Sequence, residues 1–216
     1  MLSGMISLRK KAEVEYISKN RTNLSSEEKE GKLSNLWIIT TNVFDLLPDL
    51  FFDEKPDDGQ EYARVLGRQD GERKEKYFLR KYIDVGENYE KWKVIIPKSN
   101  GCGAIGEVLS TPPVGVPLVV YTQTFLGIGA LDTEDEANAL YKYICSKFCR
   151  VLLGVLKITQ DNPPEKWQYV PLQDFTPSSD IDWSLSVAEI DQQLYRKYGL
   201  DEQKIQFIEE HVKEMF

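Results

Sequence analysis

The chain has few of the residues from which metal sites and catalytic triads are built. Its 216 residues include one histidine and three cysteines. His211 follows Glu209 and Glu210 in a stretch with helical spacing, which favours a surface residue over a zinc ligand or triad member. Cys145 and Cys149 lie four residues apart among apolar neighbours, a pattern typical of buried thiols. We therefore predict no metal site.

Long hydrophobic runs are also missing. No stretch of about twenty apolar residues exists, and the apolar residues 1–8 precede the basic residues 9–11, the reverse of the order in a secretory signal. A small, odd number of cysteines is typical of a reducing compartment. The sequence thus predicts a cytoplasmic protein that does not bind membranes.

A net positive charge, common among nucleic-acid-binding proteins, is absent as well, because the formal net charge is −8. The acidic residues are unevenly distributed. Residues 1–80 and 81–170 each have a net charge of −1, whereas residues 171–216 carry ten acidic and four basic residues. A nearly neutral body can still present a local basic face to DNA, and the acidic tail suits contact with protein or solvent.

Apolar residues make up 41% of the chain, enough for a hydrophobic core. Residues 1–36 are polar without an apolar period and predict a loosely structured N-terminal arm. Residues 37–170 predict the main globular domain. Residues 171–216 predict a separate, acidic helical hairpin.

The fold class predicted for this globular part is α+β. Residues 92–97, 118–121 and 124–128 have the composition of buried strands. A capping-box pattern at Thr133 and Glu136 then begins an apolar stripe that continues to Val155, which predicts one long amphipathic helix packed on the β-rich core.

Two further helices are predicted in the C-terminal segment. Ser186 has the position of an N-cap, Gly199 that of a helix stop, and Asp201 that of the next N-cap. Together these signals predict the helical hairpin that follows the core.

Three catalytic or cofactor motifs match only in part. Gly101, Gly103 and Gly106 have dinucleotide-binding spacing, but the residues that follow predict no helix to hold a pyrophosphate. Residues 162–165 (NPPE) resemble the N-P-P-aromatic loop of amino-methyltransferases but lack its aromatic ring. The third pattern is P-D…E-x-K, with Asp57, Glu72 and Lys74 as candidate nuclease residues. Its polar surroundings favour a solvated loop, and a nuclease stays open as the alternative.

Several segments resemble, in order, the C-terminal target-recognition region of bacterial type II restriction-modification proteins that carry an adenine-N6 methyltransferase. The resemblance runs from about Thr41 to the C-terminus and is specific as a string. Residues 1–36 do not clearly fit it. The segments are 77–83 (YFLRKYI), 93–101 (KVIIPKSNG), 106–112 (GEVLSTP), 122–126 (TQTFL), 147–150 (KFCR), 157–160 (KITQ), 170–175 (VPLQDF), 179–184 (SDIDWS) and 190–200 (IDQQLYRKYGL).

The resemblance implies that residues 37–170 form a target-recognition domain that reads double-stranded DNA. Asn100 and Gln123 have the paired donor and acceptor groups that suit adenine, and Lys98 suits guanine. Ser99, Thr122 and Thr124 suit phosphates or single base edges. Basic residues of the long helix either contact phosphate or form its solvated face. The candidate DNA-binding residues are Lys98, Ser99, Asn100, Thr122, Gln123, Thr124, Lys147, Arg150 and Lys157.

In the family this region accompanies a methyltransferase domain, sometimes with a nuclease domain. This chain has neither the cofactor-binding glycine motif nor the N-P-P-aromatic loop, so we expect no catalysis by the chain alone and no cofactor within it. S-adenosylmethionine or Mg²⁺ would serve the parent system, and a methyltransferase or nuclease domain or subunit would be the protein partner. A second alternative is a protein-interaction module that docks such a subunit through Trp167, Gln168, Tyr169 and the acidic hairpin.

Overall fold

The computed structural model describes residues 2–3, 7–8, 39–99, 105–106, 108–109, 112–156 and 164–215. The fold is α+β, as predicted, with short helices and three small sheets in the described residues. No helix in those residues has the length and apolar character needed to span a bilayer. Most of the predicted N-terminal arm lies outside the described residues.

The chain divides into two compact units, each built from segments that are separate in sequence. The hairpin unit comprises Ser3–Lys91 and Val116–Leu126. The helical unit comprises Met1–Leu2, Trp92–Gly115 and Gly127–Phe216. Residues 171–216 share a unit with the helices that precede them.

The strands belong to three sheets. A three-stranded sheet with the order β4-β3-β8 and a two-stranded sheet, β2-β5, lie in the hairpin unit. A four-stranded sheet has the order β1-β9-β6-β7. The strands are β1 (Leu2–Ser3), β2 (Ser7–Leu8), β3 (Tyr62–Gln69), β4 (Glu72–Leu79), β5 (Ile83–Asp84), β6 (Trp92–Pro97), β7 (Val114–Gly115), β8 (Val119–Tyr121) and β9 (Phe125–Leu131).

Aromatic rings form much of the core of the hairpin unit. Phe44 and Phe51 meet edge to face at 5.1 Å, and Phe51 stacks on Phe78 at 4.8 Å. Ala63 and Val65 of β3 add to the same cluster. Burial of these side chains provides the main driving force for folding of this unit.

The strand β6 is buried from Lys93 to Pro97, as predicted for a strand covered on both faces. Even Lys93 within it is fully buried. Ile105 and Gly106 form a turn, and Gly106 has a φ of +68°. This conformation suits glycine because a Cβ atom would be strained there.

Six α-helices occur in the described residues. The predicted long helix is divided at Ser146 into α2 and α3. Two more, α5 and α6, have the positions expected of the C-terminal hairpin. The helices are α1 (Val43–Leu46), α2 (Glu134–Cys145), α3 (Lys147–Leu156), α4 (Pro164–Trp167), α5 (Val187–Lys197) and α6 (Glu202–His211).

The division at Ser146 has a local and a distant cause. Ser146 has an extended backbone conformation, and its hydroxyl donates to the Tyr143 carbonyl at 2.7 Å and accepts from the Cys149 amide at 3.1 Å. The carboxylate of Asp191, from α5, accepts from the amides of Lys147 and Phe148 at 3.0 and 2.9 Å. A new helix N-terminus is therefore capped from both sides.

Candidate nucleic-acid interface

The first group of predicted DNA-binding residues follows β6 in the helical unit. Lys98 and Ser99 are exposed at the end of this buried strand. Asn100, the predicted adenine reader, lies outside the described residues, as does Lys157. The role of Asn100 therefore stays a sequence prediction.

The second group, residues 122–124, lies in the hairpin unit. The hydroxyl of Thr122 is buried and donates to Thr124 Oγ1 at 3.0 Å, which in turn donates to Thr41 Oγ1 at 3.1 Å. The Thr122 amide donates to the Leu66 carbonyl at 2.9 Å. Thr122 therefore shapes the turn from inside, while the half-buried Gln123 and Thr124 remain accessible in part.

The third group consists of basic residues of the predicted long helix, of which Lys147 and Arg150 belong to the described residues. Lys147 and Arg150 were expected on the solvated side of the long helix, but both are buried. The Lys147 ammonium forms an ion pair with Glu209 of α6. The Arg150 guanidinium donates to the carbonyls of Cys145, at 3.0 Å, and Gly106, at 3.1 Å, and to that of Lys213. These cations hold the helical unit together.

Asp191 completes this buried charged group. Burial is the largest influence on its carboxyl and raises its pKa to about 6, although the two amide hydrogen bonds and the nearby Arg150 act in the opposite direction. A buried carboxyl that titrates near pH 6 makes the stability of the helical unit depend on pH.

The direction of this pH dependence follows from the pKa of Asp191 in the folded and in the unfolded protein. The folded pKa of Asp191 lies above its unfolded value of about 3.9, so its contribution is complete below about pH 4 and is lost as the pH rises through about 6. Between about pH 5 and pH 7.5 the free energy of unfolding should fall by about 1.4 kcal/mol on this account. Urea unfolding at both pH values measures the difference. Asp191→Asn should abolish the difference between the two pH values. The control Asp135→Asn, at an exposed position, should preserve it.

The nuclease pattern is not assembled in the hairpin unit. Glu72 lies opposite Gln69 beside the turn of the β3–β4 hairpin, whereas Asp57 precedes Tyr62 at the other end. Seven residue steps along β4 separate these ends by about 23 Å. Lys74 forms an ion pair with Asp70 at 3.3 Å. The polar stretch that predicted a solvated loop is in fact a strand.

The described residues contain no group of three His, Cys, Asp or Glu side chains that could hold a metal ion. Cys145 and Cys149 are buried free thiols. Burial raises the pKa of Cys145 to about 11, and that of Cys149 is raised further by burial and by its neighbour. Neither thiol is therefore an activated nucleophile at neutral pH.

The hairpin of β3 and β4 brings together basic residues that the sequence analysis missed. Its eight-residue strands pair in register from Tyr62 opposite Leu79 to Gln69 opposite Glu72. Asp70 and Gly71 form the two-residue turn, with φ values of +53° and +80°. Aspartate followed by glycine is a strong hairpin signal because both positions need positive φ. It could have identified this element from the sequence.

Two arginines face each other near this turn. Arg68 lies directly opposite Arg73 in the register. Burial is the largest cause of a lowered pKa at Arg73, and the charge of Arg68 is the second. The two side chains therefore lie on the same face of the hairpin, with Arg68 exposed and Arg73 half-buried.

The predicted turn at residues 122–124 lies at the same end of the sheet as the hairpin tip. Strand β8 is parallel to β3, with Tyr121 opposite Leu66, so the C-terminal ends of both strands meet at one edge. We call the polar residues at this end of the sheet the hairpin-end surface, in which Arg68 and Arg73 lie on one face of the hairpin and Gln69 and Lys74 on the other. It consists of Arg68, Gln69, Arg73, Lys74, Gln123 and Thr124.

Packing holds the base of this surface in place. A Cβ atom at Gly67 would lie 2.5 Å from the Phe44 ring and 3.1 Å from the Thr122 methyl group. The Gln69 side-chain amide donates to Asp45 of α1 at 2.8 Å. The close approach of ring, strand and turn therefore requires glycine and positions the polar groups on a rigid element.

The segment proposed for protein docking has a mixed environment. Trp167 is buried, whereas Tyr169 and Leu172 are 59% and 81% exposed. Trp167 and Leu172 border a cavity of about 410 Å³ together with apolar residues of α2. Leu172 is thus both exposed and part of the lining of this cavity, and this combination makes the segment a candidate protein contact.

Comparison with known proteins gives no relatives: no protein-family model, curated protein or solved structure matches the chain.

Proposed function

We propose that this chain is the sequence-specific DNA-recognition domain of a bacterial restriction-modification system. The observation that carries the proposal is the hairpin-end surface. It combines a predicted base-reading turn, with Gln123 and Thr124, and a basic hairpin tip at one end of one sheet. Amide and guanidinium groups on a rigid scaffold are the groups that read base edges.

The charge distribution supports the same function. The hairpin Tyr62–Leu79 carries five basic and three acidic residues, although the whole chain has a net charge of −8. The acidic residues concentrate in residues 171–216, which belong to the helical unit. A local basic element on an acidic protein can still bind a phosphate backbone.

The resemblance to target-recognition regions supplies the proposed context. In that context the chain directs a methyltransferase or nuclease domain or subunit to its site in the cytoplasm. S-adenosylmethionine or Mg²⁺ would act in that partner. The exposed Tyr169 and Leu172 are suited to contact that partner. Protein docking and DNA binding would then be two functions of the same chain.

Selection from a pool of random duplexes tests the proposal. The purified chain should enrich one short sequence, and its affinity for that duplex, measured by fluorescence anisotropy, should fall with salt. Each phosphate contact contributes a slope of about −0.9 in log K against log salt concentration. Binding without enrichment, or no salt-dependent binding at all, would contradict sequence-specific recognition.

A variant of the predicted turn tests its part in reading bases. Gln123→Ala should weaken binding to the selected duplex by about 1–3 kcal/mol and relax the preference at one base pair. Gln168→Ala is the matched control because it removes the same side chain from an exposed position in the helical unit. Equal losses on selected and random duplexes for Gln123→Ala would assign this residue to the phosphate backbone instead.

A further inference from the structure

One short segment at α1 contacts both polar elements at the hairpin end of the sheet. Thr41, just before this helix, accepts a hydrogen bond from Thr124 of the turn at residues 122–124, at 3.1 Å. Asp45, within the helix, accepts one from Gln69 of β3, at 2.8 Å. Thr41 and Asp45 are four residues apart, close to one helical turn. The side chains of Gln69 and Thr124 are therefore held by the same segment.

Gln69 ends the core-facing side of β3. Side chains alternate along a strand, so Gln69 lies on the same face as Gly67 and Val65, and Val65 belongs to the core. At Gly67 the Phe44 ring and the Thr122 methyl group leave no room for a side chain. Gln69 is the next residue on this face and is half-buried. Its backbone is thus fixed by packed neighbours, while its side chain stays partly exposed.

The contact with Asp45 fixes the direction of the Gln69 amide. A carboxylate only accepts hydrogen bonds, so the Nε2 group of Gln69, and not Oε1, must face Asp45. Within the described part of the chain, Oε1 has no hydrogen-bond partner. Nε2 also carries a second hydrogen that the contact with Asp45 does not use. The amide therefore presents one acceptor and one donor to a further partner.

One acceptor and one donor on the same amide match the edge of adenine. In the major groove adenine offers its N6 amino group as donor and N7 as acceptor, and glutamine can bind both. We propose that Gln69 reads an adenine in this way and that Asp45 is the positioning residue that sets the direction of its amide. This inference rests on the proposed DNA-recognition function and adds a specificity-determining residue to the predicted turn.

The charge of Asp45 agrees with a role in specificity. Its side chain is exposed, and a negative charge on a DNA-binding surface repels the phosphate backbone. This repulsion lowers the affinity for every duplex alike. The direction that Asp45 gives to Gln69 instead favours duplexes with adenine at one position. Asp45 thus weakens binding in general and increases discrimination between sequences.

The test starts from the duplex that the wild-type chain selects from a random pool. Gln69→Ala should lower affinity for that duplex by roughly 5- to 150-fold and relax the preference at one A·T pair, with little change on random duplexes. At that pair, adenine is replaced with unsubstituted purine, which lacks the N6 amino group, or with 7-deazaadenine, which lacks N7. Each replacement should weaken binding by the wild-type chain and leave binding by Gln69→Ala unchanged.

The variant Asp45→Asn distinguishes positioning from charge repulsion. Asparagine removes the negative charge and can donate as well as accept, so the Gln69 amide is free to reverse. Affinity for random duplexes should therefore rise, while the ratio of selected to random affinity falls towards that of Gln69→Ala. Because Asp45 acts through Gln69, the double variant should have the same ratio as Gln69→Ala alone.

Two matched controls remove the same groups from exposed positions of the helical unit. They are Asp135→Asn on α2 and Gln203→Ala on α6, and both should leave the affinity ratio unchanged. The variants at Gln69 and Asp45 should also keep a melting temperature close to that of the wild type, since neither side chain is fully buried.

Distinct results would overturn each part of the inference. An unchanged ratio in Asp45→Asn, with both affinities raised, would limit Asp45 to charge repulsion. Equal losses on selected and random duplexes for Gln69→Ala, or unchanged binding, would exclude adenine reading by Gln69. A wild-type chain that selects no sequence would instead contradict the proposed function itself.

Discussion

Replacing Phe148 with alanine is expected to lower the free energy of unfolding by about 3–5 kcal/mol. The side chain is 3% exposed, and its ring stacks on that of Tyr198 with centroids 4.8 Å apart. Its amide also donates to Asp191, so Phe148 joins α3 to α5 through both backbone and side chain. Removal of the ring loses buried apolar area and leaves a cavity at this junction.

Urea or thermal unfolding followed by circular dichroism measures this effect. Phe207→Ala is the matched control because Phe207 is 43% exposed on α6 and its ring stacks on that of His211. Phe207→Ala should lower the free energy of unfolding much less, since much of the Phe207 surface already contacts water. Similar losses for the two variants would show that Phe148 does not contribute more than a surface ring, contrary to its place in the structure.

The ends of the C-terminal helices could be predicted from the sequence because their signals are local. Ser186 accepts from the Glu189 amide at 3.3 Å in a capping box, and Gly199 follows α5 with a φ of +60°. Asp201 caps α6 by accepting from the Lys204 amide at 2.9 Å. Each contact joins residues no more than three positions apart, so the pattern alone contains the information.

The break in the predicted long helix at Ser146 could not be predicted from the sequence in the same way. Its apolar stripe continues through Ser146 with little interruption, and one serine inside a helix is a weak signal. The decisive partner is Asp191, which is more than forty residues away in sequence and caps α3 through two amides. Such a tertiary cap becomes visible only once α5 is packed in place.

For single residues of the candidate interface, burial could not be predicted from the sequence either. Thr122 and Arg150 have side chains suited to DNA, but the fold buries both. Burial depends on which distant segments surround a residue, and neither charge nor hydrogen-bonding capacity reveals it. The hairpin was missed for a different reason, since the pair Asp70 and Gly71 was a local signal that the polar composition obscured.

Replacing Arg150 with alanine is expected to destabilise the helical unit by about 3–5 kcal/mol, comparable to the loss of Phe148. The guanidinium is 3% exposed and bonds three backbone carbonyls, of which those of Gly106 and Lys213 come from distant segments. Its positive charge also lies near the buried carboxyl of Asp191. Alanine would leave these acceptors without their donor, a cost that a surface arginine never incurs.

The same variant distinguishes this structural role from the phosphate contact predicted from the sequence. A phosphate-binding arginine can be removed with little effect on unfolding, whereas DNA affinity falls on every duplex and the salt slope decreases by about one. Arg150→Ala should do the reverse and lower the urea midpoint strongly. Arg150→Lys should also destabilise, because one ammonium cannot replace the fork of donors that reaches the three carbonyls. Wild-type stability in both variants together with weakened DNA binding would restore Arg150 to the interface.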